Sequence, residues 1–121
     1  SGGLSDDFRV IEAARRDNPA AETAFRAFAY QVKKQIGAFA AALGGLDALA
    51  FTGGIGQHSA VLREEALAGL GFLGICLDLE KNRNAAPGSL ITRENSPVHV
   101  YVVATNEEIV IARKAQALLG A

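Results

Sequence analysis

The chain has 121 residues, a formal net charge of −1 at pH 7, 50% hydrophobic residues and 21% charged ones. That length matches one ordinary domain, and a high apolar fraction with almost no net charge excludes a disordered chain. Balanced charge gives no support for nucleic-acid binding, which needs a concentrated excess of Lys and Arg, and no apolar run reaches the roughly 18 residues of a membrane span. Cys76 is the single cysteine, so it forms no internal disulfide, and a reducing cytoplasm is the expected setting. The opening Ser-Gly-Gly-Leu-Ser-Asp-Asp has no signal-peptide features, and no Met occurs even at position 1. A processed or engineered start, and a piece of something longer, is the expectation.

Ser5 or Asp6 caps a first predicted helix through Phe8, Val10, Ile11 and Ala14, with Arg15 and Arg16 near its end. Asn18-Pro19 restarts the chain, since Asn is a good N-cap and Pro suits the first helical position. A long helix then runs from about Ala20 to Leu43. Its apolar stripe is Phe25, Phe28, Ala29, Val32, Ile36, Phe39, Ala40 and Leu43, at three- and four-residue spacing, and Gly44-Gly45 ends it. Arg26, Lys33 and Lys34 fall between the stripe positions as a solvated face.

The run from Asp47 to Thr52 lacks polar alternation, which is how a strand buried on both faces reads. It leads through Gly53-Gly54-Ile55-Gly56 into a helical pattern from Ser59 to Leu70. A second apolar run covers Phe72 to Leu77, and Asp78 caps a short turn over Glu80–Asn84. Leu90-Ile91-Thr92 is a weak strand. Val98 to Val103, β-branched and aromatic with Pro97 in front, is the strongest, and Thr105-Asn106-Glu107-Glu108 opens a last helix to about Leu119. This order predicts an α/β fold with helices packed on a small, mostly parallel sheet. Two convincing strands are few for so many helices, so the sheet is expected to be part of a larger one or completed by a partner.

Three places suit chemistry. Open α/β sheets bind ligands at the carboxyl ends of their strands, and the glycines after Thr52 let a ligand approach the backbone; a tight turn explains them equally. No Walker A or dinucleotide fingerprint is present. Thr105 and Glu108 have capping-box spacing, which accounts for Glu108; Glu107 is free to hold Mg²⁺ or simply to suit the helix dipole. Ser5-Asp6-Asp7-Phe8-Arg9 reads as a helix cap with a surface arginine. His58 and His99 are more simply surface and strand residues, while Tyr30, Tyr101 and Cys76 read as core.

Together, Ser5-Asp6-Asp7-Phe8-Arg9, the stretch Phe28 to Lys34 with Gly37-Ala38, Asp47 to Gly56, Leu73-Gly74 with Asp78 and Lys81-Asn82, and Ala104 to Glu108 resemble the carboxyl-terminal part of the acetate kinase family. The resemblance covers nearly the whole chain in the family's order. It implies a ribonuclease H-like domain of the acetate and sugar kinase/Hsc70/actin superfamily, and transfer of the ATP γ-phosphoryl to acetate, giving acetyl phosphate and ADP with Mg²⁺. By the same resemblance Asp7, Phe8 and Arg9 lie by the nucleotide with Arg9 near the transferred phosphoryl. Gly53, Gly54, Ile55, Gly56 and Gln57 wrap the adenosine side, Glu107 binds Mg²⁺, and the protein is a cytoplasmic homodimer.

Two positions depart from the family pattern: Gln57-His58 stands where Glu-Asn is usual, and Ala104 where proline is common. The family's first domain, which carries further catalytic residues, has no counterpart in this chain, so the 121 residues are expected to be a single partial domain, inactive alone. A propionate or butyrate kinase would share every motif present. A non-catalytic nucleotide-binding module and a helix-rich dimerisation module are the alternatives outside enzyme chemistry.

Overall fold

The computed structural model describes residues 10–52 and 58–104 in full, and residues 109–112 as backbone. Residues 10–14 are helical. Helix α1 spans Pro19–Leu43, 25 residues. Asn18 caps it as expected, its side chain accepting from the backbone amides of Ala20 at 2.9 Å and Ala21 at 3.4 Å. At the other end Gly44 adopts φ 78°, a left-handed conformation that costs glycine nothing, and the next amide reaches back to the Ala40 carbonyl.

Strand β1 is Ala48–Phe51, and helix α2 is Ala60–Leu67 with Ser59 as its N-cap. A 3₁₀ turn covers Leu70–Leu73, helix α3 is Leu79–Arg83 behind an Asp78 cap, and strands β2 (Ser89–Leu90), β3 (His99–Val102) and β4 (Ile109–Ala112) complete the sheet. The sheet order is β2-β3-β1-β4. Among the described strand pairs β1–β3 is parallel, while β2 on β3 and β4 on β1 are antiparallel. The α/β architecture is the expected one, with a mixed sheet in place of a mostly parallel one.

The core lies between α1 and one face of the sheet. Val32, Ile36 and Ala40 of α1, four residues apart, pack on Leu49 and Phe51 of β1 and Val100 and Val102 of β3. A second cluster of Phe25, Ala29 and Leu62 joins α1 to α2, with Ile11 of the helical residues 10–14 against it. Gly74, at φ 97°, lets the chain pass beside Pro97; a Cβ there would stand 3.1 Å from the proline ring.

Three sequence expectations change. The helix expected to reach Leu70 stops at Leu67, because Ala68 turns extended and Gly69 takes φ 83°. The apolar run from Phe72 to Leu77 contributes two isolated bridges, Ile75 to Val98 and Leu77 to Thr92, and leaves Phe72 81% exposed. Tyr30, expected in the core, stands on the outer side of α1 beneath Lys34, and the stripe residues Phe39 and Leu43 are exposed as well. Where a last helix was expected, residues 109–112 form β4. The reason is local and tertiary together: Ile109, Val110 and Ile111 are β-branched, and β1 offers a strand edge to pair with. The rest of the predicted helix, Thr105 to Glu108 and the residues after Ala112, lies outside the described residues.

At the start of α1, Glu22 joins Arg15 and Arg26 in an ion-pair cluster, and Arg15 also stacks on the Phe25 ring. Hydrogen bonds from Arg15 and Arg26 lower the Glu22 pKa from 4.5 to about 2. A carboxylate whose pKa falls on folding stabilises the fold above its unfolded pKa and loses that contribution as pH drops through its folded one. The melting-temperature advantage of wild type over Glu22→Gln is therefore expected above about pH 4.5 and should vanish as pH falls to about 2; a pH-independent difference in thermal melts would refute the ion-pair origin.

Candidate active site at the carboxyl edge of the sheet

Because β1 and β3 are parallel, both end at the same edge of the sheet. Their register pairs Phe51 with Val102, and the Val103 amide donates to the Phe51 carbonyl at 2.8 Å. Thr52 and Val103 thus open two connections from neighbouring strands. The first leads to residues 53–57, the second through Ala104 to residues 105–108. Two stretches singled out in sequence for nucleotide and metal chemistry therefore leave the sheet side by side, where open α/β sheets take ligands.

A separate contact ties the beginning of α2 to the first helical residues. The Ser59 hydroxyl caps α2 by accepting from the Leu62 amide at 3.1 Å and donates to Glu12 Oε1 at 2.8 Å. Glu12 belongs to the helical residues that follow Asp7-Phe8-Arg9, and Ser59 begins the helix that follows the glycine turn. Ile11 secures the same contact through the Phe25, Ala29 and Leu62 cluster.

The named side chains themselves, Asp7, Phe8, Arg9, Gly53, Gly54, Ile55, Gly56, Gln57 and Glu107, lie outside the described residues, as do Thr105 and Glu108. What the structure brings together are two pairs of residues bordering them: Glu12 with Ser59, and Thr52 with Val103 at the ends of the paired strands. His58 is exposed. His99 is half-buried on β3 with its ring 6.4 Å from that of Tyr101, far along the strand from the carboxyl edge. Among the described residues, no three His, Cys, Asp or Glu side chains gather into a metal cage.

Sequence reasoning missed two residues here. Arg63, one turn into α2, is 2% exposed. Its Nε donates to Asn82 Oδ1 at 2.7 Å and its Nη2 to the Asn82 carbonyl at 2.9 Å, while Asn82 Nδ2 donates to the Ala60 carbonyl at 2.9 Å. Burial lowers the arginine pKa to about 10, which still leaves it charged at pH 7. The pair clamps the first turn of α2 to α3. The available signal was an arginine between Leu62 and Ala66, on the face of α2 that ought to be apolar. Thr52 is the other: it is 1% exposed and its Oγ1 has no hydrogen-bond partner. Removing the Asn82 amide takes the Oδ1 acceptor from the buried Arg63 Nε and one of two donors from the Ala60 carbonyl, so Asn82→Leu should cost about 2–3 kcal/mol in urea denaturation; a loss below about 0.5 kcal/mol would show that the clamp contributes little.

Comparison with known proteins identifies relatives along nearly the whole chain. The profile of the acetokinase family matches residues 1–113. An acetate kinase of Clostridium botulinum (strain Alaska E43 / Type E3) is 50% identical over 120 residues, covering 97% of this chain and 30% of that protein. One from Desulforamulus reducens is 46% identical over 118 residues with the same coverage. Among solved structures, Porphyromonas gingivalis acetate kinase superposes with a TM-score of 0.78 at 37% identity, over 87% of this chain and 28% of that one. A propionate kinase from Francisella tularensis superposes with a TM-score of 0.70 at 34% identity, over 84% and 26%. The chain thus spans about 30% of the length of the curated relatives it matches. A profile match over nearly every residue, joined to a fold shared with the solved enzymes, establishes that the chain belongs to the acetokinase family.

Proposed function

We propose that residues 1–121 form a single partial domain, the carboxyl-terminal lobe of a cytoplasmic ATP:acetate phosphotransferase that makes acetyl phosphate and ADP. The observation that carries the reading is the shared carboxyl edge of β1 and β3, from which the glycine turn and the Thr105-Asn106-Glu107-Glu108 segment both depart. In this reading Gly53, Gly54, Ile55, Gly56 and Gln57 take the adenosine side through backbone shape. Asp7, Phe8 and Arg9 border the phosphates, and the Arg9 guanidinium neutralises charge on the transferred phosphoryl, whose loose transition state needs positioning more than covalent help. Glu107 supplies a hard oxygen of the kind Mg²⁺ prefers, one carboxylate beside phosphate oxygens being its usual protein environment. Mg²⁺ bound there neutralises nucleotide phosphate charge. The chain alone lacks the family's first domain, so it is expected to bind nucleotide without turnover.

A propionate or butyrate kinase is the second reading, supported by the likeness to the Francisella propionate kinase. A homodimer fits the exposed Phe39 and Leu43, which share one flank of α1.

The test uses the longer protein that carries this chain and a family first domain. Hydroxylamine trapping of acyl phosphate is expected to show ATP-dependent product with acetate, and a higher kcat/KM for acetate than for propionate or butyrate. Glu107→Gln should lower kcat at saturating substrates with a shifted Mg²⁺ dependence, while Glu108→Gln, still able to cap, stays near wild type. No acyl phosphate from any of the three acids would overturn the reading, and a preference for propionate or butyrate would move it to the second. In sedimentation of the 121-residue chain at roughly 50 μM, within the range of ordinary dimer affinities, a dimer is expected; monomer alone would remove the dimer from the proposal.

A further inference from the structure

We propose that Thr52 is a positioning residue for the nucleotide: its hydroxyl, buried and unpaired in the free chain, takes a hydrogen-bond partner when a magnesium nucleoside diphosphate occupies the carboxyl edge of β1 and β3. This rests on the nucleotide-binding reading above and deepens it.

The starting point is a cost the fold leaves standing. A hydroxyl removed from water without a partner is destabilising, and buried polar side chains are nearly always paired. The other buried hydroxyls obey that rule here. Ser59 is held between Glu12 and the Leu62 amide, Ser96 accepts from the Cys76 amide and donates to the Val98 carbonyl, and Thr92 Oγ1 accepts from the Val100 amide. Thr52, 1% exposed, is the exception.

Folding gives no reason for that oxygen. Thr52 ends an otherwise apolar run, Ala48–Phe51, and a valine there has the same β-branched shape without the polar penalty. Strand alternation sends Leu49 and Phe51 into the α1 core and puts Thr52 on the opposite face with Ala50. The neighbouring backbone is already committed, the Phe51 carbonyl to the Val103 amide. The one special property of the position is its place, directly before Gly53 at the carboxyl edge of β1, where open α/β sheets take ligands. An unmet hydrogen-bonding group at that edge is stability withheld from the free chain and returned on binding.

The test is calorimetric titration of the 121-residue chain with Mg-ADP, paired with thermal melts of the free chain. Thr52→Val should melt about 4 °C higher without ligand and bind Mg-ADP about three- to tenfold more weakly. Thr52→Ser, which keeps the hydroxyl, should bind within about twofold of wild type. A purely structural hydroxyl cannot produce this opposition of sign. Wild-type affinity in Thr52→Val overturns the inference alone, and so does a lower melting temperature, which would mean the hydroxyl is already paired in the free chain. If Thr52→Val does not fold, Thr52→Ala decides by the same affinity criterion. A wild-type chain that binds no Mg-ADP overturns the nucleotide-binding reading and the inference with it.

Discussion

The parallel pairing of β1 with β3 is the constraint from which the rest of the molecule follows. Parallel strands cannot be joined by a tight turn, so the chain between Phe51 and His99 must leave the sheet and return to the strands' starting end. That crossover carries α2, the 3₁₀ turn, α3 and β2, and it seats α2 against α1 through Leu62, Phe25 and Ala29. The register also decides which side chains are core. A slip of one residue would turn Phe51 and Val102 away from Ile36 and expose a stripe now fully buried. With the register as it stands, two strand ends meet at one edge, and the connections after Thr52 and Val103 start from it.

Polar contacts then trim that edge. Hydrophobic packing sets the distance between α1 and the sheet, but it is permissive about rotation and slide of a short helix such as α2. The Arg63–Asn82 clamp and the Ser59–Glu12 bond are directional, and both act within the first turn of α2 or at its cap. A buried guanidinium is a costly way to hold a helix if stability is the only benefit. Here it fixes the start of α2, the helix that follows residues 53–57 in the chain. The unpaired Thr52 hydroxyl marks the opposite end of the same turn. The two ends of the turn are thus built differently, one tied down by charge and hydrogen bonds, the other left with unspent bonding capacity.

Much of this was legible in the linear chain because the signals were local. Asn18-Pro19 and Gly44 bound α1 as their conformational preferences dictate, and Asp78 caps α3 through the amides of Glu80 and Lys81. The motifs carrying the family resemblance were also local, short runs readable without any fold, and the family assignment follows from them. The illegible parts involve competition between distant segments. Phe72 to Leu77 reads as one apolar run, yet Gly74 at φ 97° divides it and Ile75 and Leu77 reach other segments through isolated bridges. Tyr30 carries the mark of a core residue on the side of α1 that no element covers.

What the sequence determined by itself was therefore the set of elements with strong caps or sustained periodicity, the α/β class, and membership in a kinase family through motifs at strand ends. Tertiary structure alone decided the mixed sheet, with β4 paired to β1, since β-branched Ile109, Val110 and Ile111 choose between helix and strand according to whether an edge is available. It alone decided that Arg63 is buried and meets Asn82, nineteen positions away, and that Thr52 keeps its hydroxyl without a partner. A sequence pattern reports how each residue leans under its neighbours' influence. Which polar atoms are sealed from water, and which of them are left unpaired, depends on surfaces that exist only once distant segments have closed on one another.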